Sequence, residues 1–258
     1  MNSVNDKTKK MLLVGGSVLL VIAALVFGGP VLAASSWKSG AIDKTNALID
    51  KINTTNRDIS NLSSKLQPTE DDYKKLTTAF TTQMSDVKTA KNDLAEVGGI
   101  PGIDITGSYT KAVNARKELV AAYDELVSLD TVGLERAKAE QEVSKLVGGS
   151  APQTEEQAKA AVENIKMAAS KIKEFANSSN GTDYDKRSAV AFEKLAAALE
   201  KSLNATDEAA ASAAEAELTN VSEEIDALQS ESTDVQKAFQ KKIDDNIDRL
   251  NKAVKSLE

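Results

Sequence analysis

The stretch LTNVSEEIDALQSESTDV, residues 218–235, decides the fold class of this chain. Its apolar residues follow spacings of three and four in alternation, the heptad pattern of a helix that packs along one face. After Val235 the spacing becomes four, four and three, an 11-residue repeat that should relax or reverse a supercoil. The predicted packing positions are Leu218, Val221, Ile225, Leu228, Val235, Phe239, Ile243, Leu250, Val254 and Leu257.

A second stripe of this kind lies in residues 39–66, which we also predict to be an amphipathic helix. Its heptad positions are Ile42, Ile49, Ile52, Ile59 and Leu66, with Thr45, Asn56 and Ser63 in the alternate slots. Both stripes are apolar enough to require a partner. We predict that the two helices pack antiparallel within one chain. The alternative is self-association through an intermolecular coiled coil of the last helix.

Glycine, proline and capping residues divide the rest of the body into further helices. We predict these at about 69–96, 108–147, 153–176, 183–203 and from 206 to the end. Asp130 and Thr131 resemble capping residues, so the third of the body's helices is expected to kink near Ser128–Gly133. The predicted fold class is therefore all-α, an elongated antiparallel helical bundle with coiled-coil character.

The N-terminal region has the pattern of a membrane segment. Residues 1–10 are basic, and no charged residue occurs from Met11 to Trp37. A charge within hydrocarbon costs several kcal/mol, so an uncharged apolar run of this length indicates insertion, with the lysines on the cytoplasmic side. The residues predicted to contact the membrane are Leu12, Leu13, Leu19, Leu20, Ile22, Leu25, Phe27 and, at the interface, Trp37.

Two interpretations of this segment remain open. Residues 11–34 are long enough to span a bilayer as a signal anchor. Val31-Leu32-Ala33 also offers the small residues of a signal-peptidase site, and cleavage after Ala33 would release the protein. Both interpretations place residues 35–258 outside the cytoplasm as a single helical domain.

The amino-acid composition limits the classes of function that are open to this chain. The chain contains no histidine and no cysteine, so disulfides, thiolate metal sites and the commonest general base are excluded. We expect no enzymatic activity, no cofactor and no metal. The net charge is −7, and residues 1–37 carry three lysines against one aspartate, so the body is more acidic still. Nucleic acid is therefore not an expected partner.

Three local features have competing interpretations. Ile100, Ile103 and Ile105 make a glycine-rich loop apolar, which suits either a cover for the bundle end or an interaction loop. Asn177–Asp185 is oxygen-rich and is either a capped turn or a calcium loop. Paired acidic residues such as Asp71-Asp72 and Glu155-Glu156 favour first helical turns over catalytic pairs.

These patterns predict a membrane-tethered extracytoplasmic structural or interaction protein of the cell envelope, such as a spacer, an adhesin stalk or an assembly component. Its expected partners are the membrane, through the N-terminal segment, and another protein or a second copy. The alternative is a helical sensory or ligand-binding ectodomain that works with a partner protein.

Overall fold

The structure is a computed structural model that describes residues 29–63, 65, 68–98, 104, 107–148 and 152–258, with side chains from Ala34 onward. These residues form six α-helices and no strand, which confirms the all-α class. The helices are α1 (Gly29–Ser63), α2 (Glu70–Asp93), α3 (Ser108–Val147), α4 (Glu155–Ala176), α5 (Asp183–Leu203) and α6 (Glu208–Lys255).

Helix α1 differs from its predicted extent, whereas α3 has the predicted bounds, 108–147. Helix α1 begins at Gly29, ten residues before the predicted start, because Pro30 is tolerated in the first turn, where its missing N–H costs nothing. Helix α3 remains helical through Ser128–Gly133, so no helix ends there, and the kink stays a prediction. Asp130 does not cap a helix but lies buried in mid-helix. Thr131 donates its hydroxyl to the Val127 carbonyl at 2.8 Å, as threonine does inside a helix.

A repeated sequence pattern begins two of the helices. Thr69 donates its N–H to Asp72 Oδ2 at 2.9 Å, and Asp72 returns an N–H bond to Thr69 Oγ1 at 3.2 Å. Thr182 and Asp185 form the same reciprocal capping box before α5. The Thr-x-x-Asp pattern therefore determines where each of these helices begins. It also provides hydrogen-bond acceptors for N–H groups of the first helical turn, which have no partner within the helix.

The chain divides into two compact units, and four of the helices contribute to both. Unit 1 comprises residues up to Lys51, Asp86–Glu125 and Asn246–Glu258. Unit 2 comprises Ile52–Ser85 and Leu126–Asp245.

Unit 1 is held by small residues and by polar bonds between its segments. Ala34, Val97 and Ala112 form a buried cluster against which Trp37 and Tyr109 pack. Thr45, one of the polar heptad residues, shares a buried hydrogen bond of 2.8 Å with the Tyr123 hydroxyl. The C-terminal residue also belongs to this unit, since Lys38 Nζ donates to the main-chain oxygen of Glu258 at 3.2 Å.

Unit 2 has an apolar core and an alanine-rich hairpin. Ile59, Leu76, Phe80 and Ala137 form its core cluster, with Phe239 of α6 packed against them. Gln236 Nε2 donates to the Ser63 carbonyl at 3.2 Å, so the end of α1 contacts α6 in this unit. Helices α4 and α5 pair closely because their buried residues are mostly alanines, whose small side chains allow the backbones to approach.

The predicted packing positions fall largely on buried surface. Those that are buried are Ile49, Ile52, Ile59, Val221, Leu228, Ile243, Leu250, Val254 and Leu257. Those that are partly buried are Ile42, Leu218, Ile225, Val235 and Phe239. Leu66 lies outside the described residues.

Several predicted features lie outside the residues that the structure describes. They include the hydrophobic segment from Met11 through Phe27 and the three loop isoleucines at 100, 103 and 105. Residues 29–34, the end of the predicted membrane segment, belong to α1. Of the helices that are described, none has the length and apolar character needed to cross a bilayer.

Candidate functional site

Unit 2 contains a groove of about 1020 Å³. The start of α2 forms one side of it, the second half of α3 forms its floor, and α4 and α5 contribute the remaining wall. Its volume is at the upper end of the range of small-molecule sites.

Aromatic side chains are concentrated in this groove. The chain has one tryptophan, four tyrosines and five phenylalanines, and four of these ten line the groove: Tyr73, Phe175, Tyr184 and Phe192. All four are partly exposed. The protein has few aromatic side chains, yet four of them are left partly exposed in one groove instead of being buried in the core. Clustered, partly exposed aromatic side chains are typical of a recognition surface.

Arg136 forms the charged centre of the groove. Its Nη2 donates to Asp185 Oδ2 at 2.7 Å, and its guanidinium carbon lies 5.2 Å from the centre of the Phe175 ring. The aspartate side chain is only 7% exposed. Asp185 thus both caps α5 and fixes the guanidinium, and the ring adds a cation–π contact that orients its plane.

The tyrosine hydroxyls of the groove stay protonated at all ordinary pH values. Burial raises the pKa of Tyr73 to about 12, and the negative charge of Glu140 contributes to the increase. Burial likewise raises the pKa of Tyr184. Both hydroxyls are therefore available as hydrogen-bond donors as well as acceptors.

The groove combines ring faces, neutral hydroxyls, the Arg136–Asp185 ion pair and the charged side chains of Glu70, Glu140 and Lys145. Such a lining suits a ligand with apolar faces and a few hydrogen-bonding groups. Of the two serines in its lining, Ser188 donates its hydroxyl to the Tyr184 carbonyl at 2.9 Å. Among the described residues, no three acidic side chains converge in a way that could hold a metal ion.

The turn at Asn177–Asp185 is a capped turn, as the first of its two interpretations predicted. Asn177 is the C-cap of α4, and Thr182 is the N-cap of α5. Asn180 donates its side-chain amide to Glu135 at 2.7 Å. The acidic pairs at Asp71-Asp72 and Glu155-Glu156 lie in first helical turns, as expected.

Trp37 was predicted to lie at a membrane interface, and the structure gives it protein partners. Its indole Nε1 donates to the Ala95 carbonyl at 2.9 Å, and Arg116 Nε donates to the same oxygen at 3.0 Å. Together these two side chains cap the chain just after the end of α2. Trp37 therefore contributes to the packing of unit 1, and its position at a membrane interface stays a prediction.

The groove was not predicted from the sequence, although a signal was present. Phe175, Tyr184 and Phe192 occur in helices rich in alanine, lysine and glutamate, and Tyr73 occurs in a helix rich in threonine and lysine. Their four positions on three helices converge only after folding. Comparisons with protein-family models, with curated proteins and with solved structures found no match for the chain.

Proposed function

We propose that the chain is a membrane-tethered extracytoplasmic interaction protein of the cell envelope, which acts as a spacer, stalk or assembly component. The observation that carries this proposal is the uncharged run from Met11 to Trp37 behind Lys7, Lys9 and Lys10, followed by a helical body. The lysines favour the cytoplasmic side and so direct the body outward.

The contacts of the helices suit a load-bearing or spacing role. Ion pairs connect neighbouring helices along their exposed faces, at 2.7 Å for Lys194–Glu224 and for Lys201–Glu217 and at 2.8 Å for Lys173–Glu193. Each exposed pair contributes little to stability, but together they fix which helix faces which. The contact of α6 with the end of α1 in unit 2, through Gln236 and Ser63, supports the further proposal that the body is an elongated antiparallel bundle.

Single-cysteine labelling tests the proposed topology. The chain has no cysteine, so each introduced thiol is the only one present. We expect Ser230→Cys, at an exposed position of α6, to react with a membrane-impermeant maleimide in intact cells. Ser3→Cys, before the hydrophobic segment, should react only after the membrane has been permeabilised.

The labelling pattern also separates the anchor from a cleaved signal peptide. A retained anchor keeps Ser3→Cys in the mature protein and in the pellet after alkaline carbonate extraction. Cleavage after Ala33 removes that thiol and releases the body. Equal protection of both thiols in intact cells would place the body inside the cell and contradict the proposal.

The groove favours a second candidate function, a ligand-binding ectodomain. Native mass spectrometry of the full chain, solubilised from its own membranes, distinguishes the two candidates. A ligand-binding role predicts a bound small molecule that is lost in Phe192→Ala, because that substitution removes one ring from the groove. An interaction role predicts a protein partner that Phe192→Ala retains. The matched control is Phe239→Ala, which removes a ring elsewhere in unit 2.

A further inference from the structure

Asp130 and Gln83 form a buried polar pair inside unit 2. Asp130 is 0% exposed and Gln83 is 1% exposed, although each lies in the middle of a helix. Gln83 Nε2 donates to Asp130 Oδ1 at 2.8 Å. The amide oxygen Gln83 Oε1 and the second carboxyl oxygen Asp130 Oδ2 are buried without a hydrogen-bond partner.

Those two unsatisfied oxygens are incompatible with a charged Asp130. A carboxylate has only acceptors, and Gln83 Oε1 is also an acceptor, so neither can satisfy the other. A buried carboxylate further requires a cation or several donors, whereas Asp130 receives a single hydrogen bond from a neutral amide.

Charged groups on the surrounding helices do not supply the missing partner. Helix α2 has no charged residue from Ala79 to Ser85, and α3 has none but Asp130 from Leu126 to Leu134. On α1, Arg57 and Asp58 are exposed, and so are Lys241, Lys242 and Asp244 on α6. Further along α3, Glu135 accepts from Asn180, and Arg136 is paired with Asp185 of α5.

We propose that Asp130 is a neutral carboxylic acid in the folded chain and that its deprotonation loosens unit 2, which makes the pair a pH-sensitive switch. One proton on Oδ2 turns an acceptor into a donor and provides the partner that Gln83 Oε1 lacks. Acid and amide then each donate once and accept once, and all four of their polar atoms are satisfied. Loss of the proton leaves an unpaired buried anion, which favours opening of the surrounding helices.

The electrostatics of the site agree with this assignment. Burial raises the pKa of Asp130 to about 7, and the hydrogen bond from Gln83 offsets only part of that effect. Because the pKa is higher in the folded than in the unfolded chain, the folded state binds the proton more tightly. The stability that Asp130 contributes is therefore fully present below about pH 4. It is lost as the pH rises to about 7, and it stays lost above that value.

A third buried polar side chain in unit 2, Asn56, makes the unit more sensitive to this loss. Its side chain is buried on α1, and neither its Nδ2 nor its Oδ1 has a hydrogen-bond partner. Because buried polar atoms without hydrogen bonds already lower the free energy of unfolding, the additional cost of a charged Asp130 is a larger fraction of the stability that remains.

Substitution of Asp130 by asparagine tests the switch. The asparagine side chain would reproduce the protonated acid, because its amide can donate to Gln83 Oε1 at every pH. In urea titrations of the full chain, wild type and Asp130→Asn should have similar folding equilibrium constants at pH 4. As the pH rises, the folding equilibrium constant of the variant should increasingly exceed that of wild type. The ratio should reach as much as roughly a thousandfold by pH 8, because the pKa of Asp130 is about 7 in the folded chain and about 4 in the unfolded chain.

A charge-matched control separates the buried site from a general loss of negative charge. Asp226→Asn removes one exposed carboxylate on α6 and should leave the pH dependence of wild type unchanged. A ratio between Asp130→Asn and wild type that is constant from pH 4 to pH 8 would overturn the proposal.

Infrared spectroscopy on the wild-type chain provides a measurement that does not depend on any variant folding. With ¹³C-labelled aspartate, the carbonyl stretch of one protonated carboxylic acid should persist at about pH 5.5, where ordinary aspartates are ionised. The band should vanish as the pH rises through about 7. If every aspartate carbonyl has already shifted to the carboxylate position in that mildly acidic sample, Asp130 is ionised and the proposal fails.

Discussion

Ile52→Ala is expected to lower the free energy of unfolding by roughly 2–5 kcal/mol. Ile52 is 1% exposed and is among the largest fully buried side chains of the described residues. Its truncation removes three carbon atoms from a site with no access to solvent, and long helices surrounded by others cannot move inward to fill the gap. Chemical denaturation of the full chain, monitored by circular dichroism at 222 nm, measures the change.

Ile225→Ala is the matched control, since it makes the same chemical change in a second heptad position of unit 2. The heptad pattern alone predicts equal costs for the two truncations. In the structure, however, Ile225 is only partly buried. We therefore expect its truncation to cost about 1 kcal/mol, within the range of partly exposed sites. Equal losses for the two variants would contradict the burial that the structure assigns to them.

The same titrations test whether the apolar faces of α1 and α6 are buried within one chain or between two chains. Intrachain packing predicts that the midpoint does not depend on protein concentration. Self-association through α6 predicts a midpoint that rises with concentration, because the oligomer is favoured by mass action. A midpoint that climbs over a hundredfold increase in concentration would support the intermolecular coiled coil instead.

The secondary structure could be predicted from the sequence because it depends on local signals. The Thr-x-x-Asp pairs at Thr69 and Thr182 define helix starts through bonds between residues three apart, and the heptad spacing of α6 identifies its buried face. The wrong interpretation of Asp130 and Thr131 as capping residues has the same origin. Asp, Thr and Gly in succession resemble a helix end, but their actual partners lie on α2, about fifty residues earlier in the chain.

The groove and the buried acid could not be predicted, because both arise from tertiary packing. Arg136 and Asp185 are 49 residues apart in sequence and meet only when α3 and α5 pack together. Aspartate is a residue type that usually lies at the surface, and the sequence around Asp130 does not indicate that its side chain is completely buried. The absence of histidine also removed the residue that most often marks a functional site in a sequence.

Gly133→Ala is expected to destabilise the chain by about 1–3 kcal/mol, although alanine is the better helix former. Gly133 lies inside α3 and is buried against the ring of Phe80. A Cβ atom at this position would lie 2.9 Å from Phe80 Cδ1 and closer still to Cε1 and Cζ. The ring cannot turn away freely, because it is 4% exposed and packs edge-on against Phe239 with centroids 6.3 Å apart. Overpacking therefore outweighs the gain in helix propensity of about 1 kcal/mol.

Two further variants show whether the ring is responsible. Gly40→Ala makes the same change in α1, where an added Cβ meets nothing within 4 Å, and should stabilise the chain by about 0.5–1 kcal/mol. Phe80→Ala alone should cost roughly 3–5 kcal/mol. In that background the clash is gone, so Gly133→Ala should become stabilising, and the double-mutant cycle should give a coupling of at least about 1 kcal/mol. If Gly133→Ala stabilises the wild-type chain as Gly40→Ala does, the Phe80 ring does not occupy the space beside Gly133.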